Sequence, residues 1–217
     1  MLLLLAAAPA FAAEPVPTLA MPTAVALEAG TGQAGVGALA VGGDSPSGAV
    51  TLRGAVGITD RLAISGGLME PRGGLLLGLR YNVYQSDTFR VAPFVFGIAD
   101  DDLVTEAPID TLGALSAGLG VALEGGGQTF RFDLSLPLVA TGIDPLANPL
   151  YVPLVGGSLG VTVQAHRRHA LRFGIESLAA PAVTWRYAAD RWYLQATGLY
   201  SLVRAQPMIA AEVGLRF

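Results

Sequence analysis

The chain has no cysteine, which excludes a disulfide framework, thiolate metal ligands and a cysteine nucleophile. It has no lysine either: all thirteen basic residues are arginine. Against seventeen carboxylates they leave a net charge of −4, the wrong sign for nucleic-acid binding, which needs a basic face. Charged residues make up only 14% of the chain, against about 25% in soluble domains. Hydrophobic residues reach 52%, yet no later segment approaches the run of about 20 apolar residues that a membrane helix needs. High apolarity in short pieces is what alternating β-strands produce, with one face apolar and the other not.

Met1–Ala12 is apolar and ends in Ala10-Phe11-Ala12, a small-x-small cleavage site, so 1–12 is expected to be a signal peptide. Its positively charged leading region is missing, and the start as given is read as truncated. Residues 13–32, with a proline-rich stretch over 14–22, are expected to form a periplasmic extension, and 33–217 the folded body. The alternative for 24–43 is one long strand with a glycine bend at Gly30-Thr31-Gly32.

The clearest alternation lies in 129–138. There Phe130, Phe132, Leu134, Leu136 and Leu138 share one face, with Thr129, Arg131, Asp133 and Ser135 on the other. The same period runs through 48–57, 62–69, 113–123, 156–164, 170–178, 182–188 and 191–200. It also sets Leu75, Leu77, Leu79, Tyr81 and Val83 against Gly78, Arg80, Asn82 and Tyr84. With 33–43, 89–98 and 208–217 these segments make about twelve strands of the ~9–11 residues that a tilted strand needs to cross a bilayer. The count falls to ten if two short strands merge. Pro93 removes a ladder donor inside 89–98, which predicts a bulge or local defect in that strand. A soluble β-sandwich also alternates, but its second face is wet and charged, whereas here that face is mostly Gly, Ala, Ser and Thr.

The last segment places Ile209, Ala211, Val213, Leu215 and Phe217 on one face and Met208, Ala210, Glu212, Gly214 and Arg216 on the other. With the export signal and the strand pattern, this aromatic ending resembles bacterial outer-membrane β-barrels, whose terminal aromatic is read by the barrel-assembly machinery. The resemblance implies an all-β, antiparallel, up-and-down transmembrane barrel in contact with the bilayer and outer-membrane lipids. It implies Phe217 as the assembly signal and identifies no subfamily. Short turns near Thr59, Ser86, Gly126, Arg167 and Asp190 then share the periplasmic side with both termini. The longer segments 99–111 and 140–153 share the outer side, which is the usual asymmetry.

Alternation sends Leu and Phe to lipid and the mixed face to the lumen. The expected lumen-lining residues are Arg53, Arg80, Arg131, Asp133, Arg172, Glu176, Arg186, Glu212 and Arg216, joined by Arg90 and Glu124. Seven arginines and four carboxylates leave about +3 inside. Either these charges pair into a plug, or the arginine excess lines an anion-favouring, water-filled pore; the small inward residues tip the reading towards a pore. On that reading Arg80 and Arg131 set the anion preference. An Arg at Asp133 is expected to hydrate in the lumen, while one at Phe132 faces lipid near midplane. His166 and His169 sit in a basic turn with no His-x-Ser motif, so a lipid-modifying enzyme is disfavoured. The acidic segment 99–111 matches no calcium loop, and neither a cofactor nor a metal is implied.

Overall fold

The computed structural model describes residues 27–43, 46–70, 74–99, 115–141, 157–176, 180–202 and 205–217. The longer segments 99–111 and 140–153 fall largely, and the expected signal peptide 1–12 entirely, outside these residues. The strands are β1 (Gly32–Val41), β2 (Ser47–Gly57), β3 (Leu62–Glu70), β4 (Gly74–Tyr81), β5 (Tyr84–Gln85), β6 (Phe89–Ala99) and β7 (Leu115–Gly126). They continue with β8 (Phe130–Thr141), β9 (Ser158–His166), β10 (His169–Glu176), β11 (Ala180–Ala188), β12 (Trp192–Ser201) and β13 (Gln206–Arg216).

Consecutive strands pair antiparallel, except β4 with β5, and β1 pairs with β13 from Gln33↔Arg216 to Val41↔Met208. β4 and β5 both lie along β6, so the thirteen segments close into a ring of twelve. Closure leaves no open edge, the condition for a sheet in lipid, where an unpaired backbone amide has no water to turn to.

The bulge expected in the Pro93 strand lies instead in its partner. The β6–β7 register runs unbroken from Phe89↔Gly125 to Ala99↔Leu115. On the other side Arg80 pairs with Phe94 and Tyr84 with Val91, so one extra residue is accommodated between β4 and β5, opposite Pro93. The missing amide is thus met by a break in the partner strand. That extra residue also turns Tyr84 outward, where it stacks near Phe89 at 6.3 Å between ring centroids, so Tyr84 does not belong to the inward set. A second slip falls between Leu119 and Gly120, opposite Pro137 and Val139.

The exterior is a continuous apolar band. One row of cross-strand partners reads Leu194, Val213, Val36, Leu52, Leu68 and Leu75, all exposed. The short turns and both ends of the barrel share one rim. Aromatic rings gather there. Phe89 lies 6.4 Å from Phe132, His169 5.1 Å from Tyr187, and Tyr187 5.1 Å from Trp192. Such girdles mark the headgroup level, so Phe132 lies near this rim rather than at midplane.

Candidate lumen site

Strand alternation determines which side chains point inward, and small inward residues determine where large ones lie. On β9, a Cβ at Gly160 would sit 2.5 Å from the Arg172 guanidinium. On β13, one at Gly214 would collide with the Tyr193 ring. These glycines are seats: without a Cβ, the wall lets a long inward side chain lie flat across the neighbouring strand.

Three charged clusters result. In the first, Arg53 Nε donates to Glu212 Oε2 at 2.7 Å, and its Nη2 contacts the same oxygen. The Tyr193 hydroxyl donates to Glu212 Oε1, and the Arg186 guanidinium lies 4.3 Å above the Tyr193 ring. In the second, Arg172 donates from Nε and Nη2 to the two oxygens of Asp133 at 2.9 and 2.6 Å, and from Nη1 to Glu176. In the third, Arg131 Nη1 donates to Glu124 Oε1 at 2.9 Å, with Arg90 Nη1 3.9 Å from the other oxygen. Glu124 lies within β7, which ends at Gly126. Arg80 is buried on β4, and Arg216 is half-buried on β13 opposite Gln33.

Of the charged residues expected to line the lumen, Arg80, Glu124, Arg131, Asp133, Arg172, Glu176, Arg186 and Glu212 are buried, and Arg53, Arg90 and Arg216 are half-buried. Their pairing is a correction to the expected solvation. Asp133 accepts from Arg172, and Arg80 and Arg131 are buried. Arg53 and Arg90 each have a side chain 22% exposed, paired with carboxylates whose side chains are 5% and 4% exposed. In the Arg172 cluster the order reverses, with Arg172 at 1% and Asp133 at 12%.

Sequence reasoning misses an apolar layer on the same inward face. Ala182, Leu199, Met208 and Val41 are consecutive cross-strand partners, all buried, and belong with Leu39, Ala49, Phe94 and Phe96 to one cluster. The signal was present: Leu199 and Met208 share parity with Gln195 and Glu212. His166 and His169 end and begin strands at the rim; His169 Nδ1 accepts from Trp185 Nε1 at 3.3 Å, on the outer side of the wall.

No family model matches the chain, and no curated protein matches it. Solved structures do. The KdgM porin in complex with disordered oligogalacturonate superposes with a TM-score of 0.59 at 9% identity, covering 84% of this chain and 99% of that one. An outer membrane channel from Pseudomonas putida F1 gives 0.57 at 14% identity, covering 88% and 97%. Outer membrane phospholipase A from Escherichia coli gives 0.55 at 9%, covering 84% and 89%. These likenesses are of fold: the chain is a transmembrane β-barrel of the bacterial outer-membrane type.

Proposed function

We propose that the chain is a passive, porin-like channel for small solutes, with a mild anion preference. The observation that carries this reading is the order of exposure at Arg53–Glu212 and Arg90–Glu124. At both pairs the arginine side chain is the more exposed partner, and the carboxylate is buried. A solute entering from water meets a cation first, although the pair is neutral overall. Arginine stays charged at any working pH, so the preference persists from acid to alkaline conditions. It weakens with salt as the Debye length contracts from about 10 Å at 0.1 M to about 3 Å at 1 M.

The test is conductance and reversal potential of the purified barrel in a planar bilayer under a KCl gradient. A conducting barrel with a chloride-biased reversal potential supports the reading. A barrel that leaves the bilayer silent overturns it in favour of a plugged structural barrel. That second reading has its own support in Arg172, Arg186 and Gln195, which are 1–2% exposed.

We read the chain as not an enzyme. Lipid hydrolysis needs a nucleophile with a base in reach, whereas His169 is engaged with Trp185 and the Tyr187 ring on the outer face. Release of fatty acid from phospholipid vesicles by the pure barrel would reverse this. We assign Phe217, exposed at the seam between β13 and β1, as the signal for the barrel-assembly machinery. Phe217→Ala should then slow insertion in cells.

A further inference from the structure

The interior is unevenly filled around the ring. The inward positions of β8 to β12 carry Asp133, Thr162, Arg172, Thr184, Arg186, Tyr193, Gln195 and Thr197, every one buried. The middle inward positions of β2 and β3 carry Thr51, Arg53, Ala55, Ser65 and Gly67, and none of them is buried. Small side chains on one wall face long, interlocked ones on the other, because β2 and β3 lie six places around the ring from β9 and β10. Towards the outer end this open stretch meets buried Ala49 and the apolar layer. Towards the periplasm it meets buried Ala63 and Gly57, where the carbonyls of Leu27 and Glu28 close over Gly57.

We infer that β2 and β3 bound an off-axis, water-filled chamber in mid-barrel, with Arg53 as its solute-facing charge. Its occupant is a small hydrated anion, a carboxylate or sulfonate. Thr51 and Ser65 offer hydroxyls on either flank, and Glu212 and Tyr193 hold the guanidinium from behind. Arg53, rather than Arg80 or Arg131, is then the specificity-determining residue. The inference rests on the channel reading only for the route by which a solute arrives.

The absence of native cysteine makes the test clean. Thr51→Cys, Ser65→Cys, Thr162→Cys and Thr197→Cys are each inserted into liposomes and checked for the heat-modifiable gel mobility of a folded barrel. Each is then reacted with anionic sulfonatoethyl or cationic trimethylammonioethyl methanethiosulfonate. The Thr51→Cys and Ser65→Cys barrels should be modified readily, and the Thr162→Cys and Thr197→Cys barrels only after unfolding. A unit charge about 7 Å away in water attracts one reagent and repels the other by about one RT each, so, with each rate taken relative to that reagent's rate with a free thiol, the anionic reagent should lead by roughly sevenfold. Arg53→Gln should abolish that lead; Arg131→Gln should leave it. Equal labelling of all four variants, or equal effects of the two arginine substitutions, overturns the chamber. Labelling of Thr51→Cys and Ser65→Cys in a barrel that passes no current keeps the chamber and defeats the channel. Current with uniform labelling does the reverse.

Discussion

Two neighbouring residues offer the sharpest test of the interior, because their ranking depends on whether the inward face is solvated or paired. Phe132 lies outward near the aromatic girdle, 44% exposed to the surroundings of the barrel. Arginine there can reach the headgroups, where a lipid-facing charge costs about 0–1 kcal/mol rather than the ~2–4 of the midplane. The lost ring contact with Phe89 adds about 1 kcal/mol. Asp133→Arg removes the anion that takes two bonds from Arg172 and puts a second cation in its place. Breaking a buried pair costs about 3–5 kcal/mol, and like charges about 4 Å apart repel by a further ~4 kcal/mol at an effective dielectric of 20. Relaxation of the new side chain recovers part of this, so about 4–6 kcal/mol is expected for Asp133→Arg against about 1–2 for Phe132→Arg. Adding Arg172→Gln to Asp133→Arg removes the repelling partner. The double variant should be more stable than Asp133→Arg alone, a coupling that additivity cannot produce. Reversible urea unfolding in liposomes measures all three. A Phe132→Arg variant less stable than Asp133→Arg would mean that water solvates position 133, and the paired interior would be wrong.

Other outcomes follow from single sites. Sequencing the mature protein from outer membranes should begin at Ala13, and a retained Met1 would defeat the cleavage assignment. Gly160→Ala places a Cβ against the Arg172 guanidinium. It should cost about 1–3 kcal/mol by overpacking, and Gly198→Ala, with open space around it, should be near neutral in the same assay. Ala205 adopts a left-handed backbone with φ of 52°, a conformation costing about 1–2 kcal/mol for a residue with a Cβ. Ala205→Gly should therefore stabilise slightly or leave the unfolding midpoint unchanged, and a clear loss would refute the strain.

Alternation made most of this barrel legible before its coordinates. The segments around Leu52, Leu119, Phe132 and Leu194 repeat with period two, and each became a strand with its apolar face outward. Parity says which way a side chain points but not what it meets. Arg53 and Glu212 lie 159 residues apart and Arg172 and Asp133 lie 39 apart, so their pairing arises only once the ring closes and the register is set. That is why the inward arginines could be named while their solvation could not. Tyr84 shows the other limit: one added residue opposite Pro93 inverts the parity of all that follows in that strand.

The seam between β1 and β13 has a consequence for how the protein is made. Every other neighbour in the ring is adjacent in sequence, whereas Gly32 and Phe217 exchange backbone bonds of 2.7 and 3.0 Å across nearly the whole chain. Hairpins can zip locally in turn, but the entropy of bringing distant ends together is lost in one step at the end. Until then the growing sheet carries two sticky edges. Moving the chain ends to the turn at Arg167–Arg168 and tethering Phe217 to Gly30 would turn this long-range seam into one more hairpin. The long-range closing step should then move to β9 and β10, the pair that the cut separates, with the finished wall unchanged.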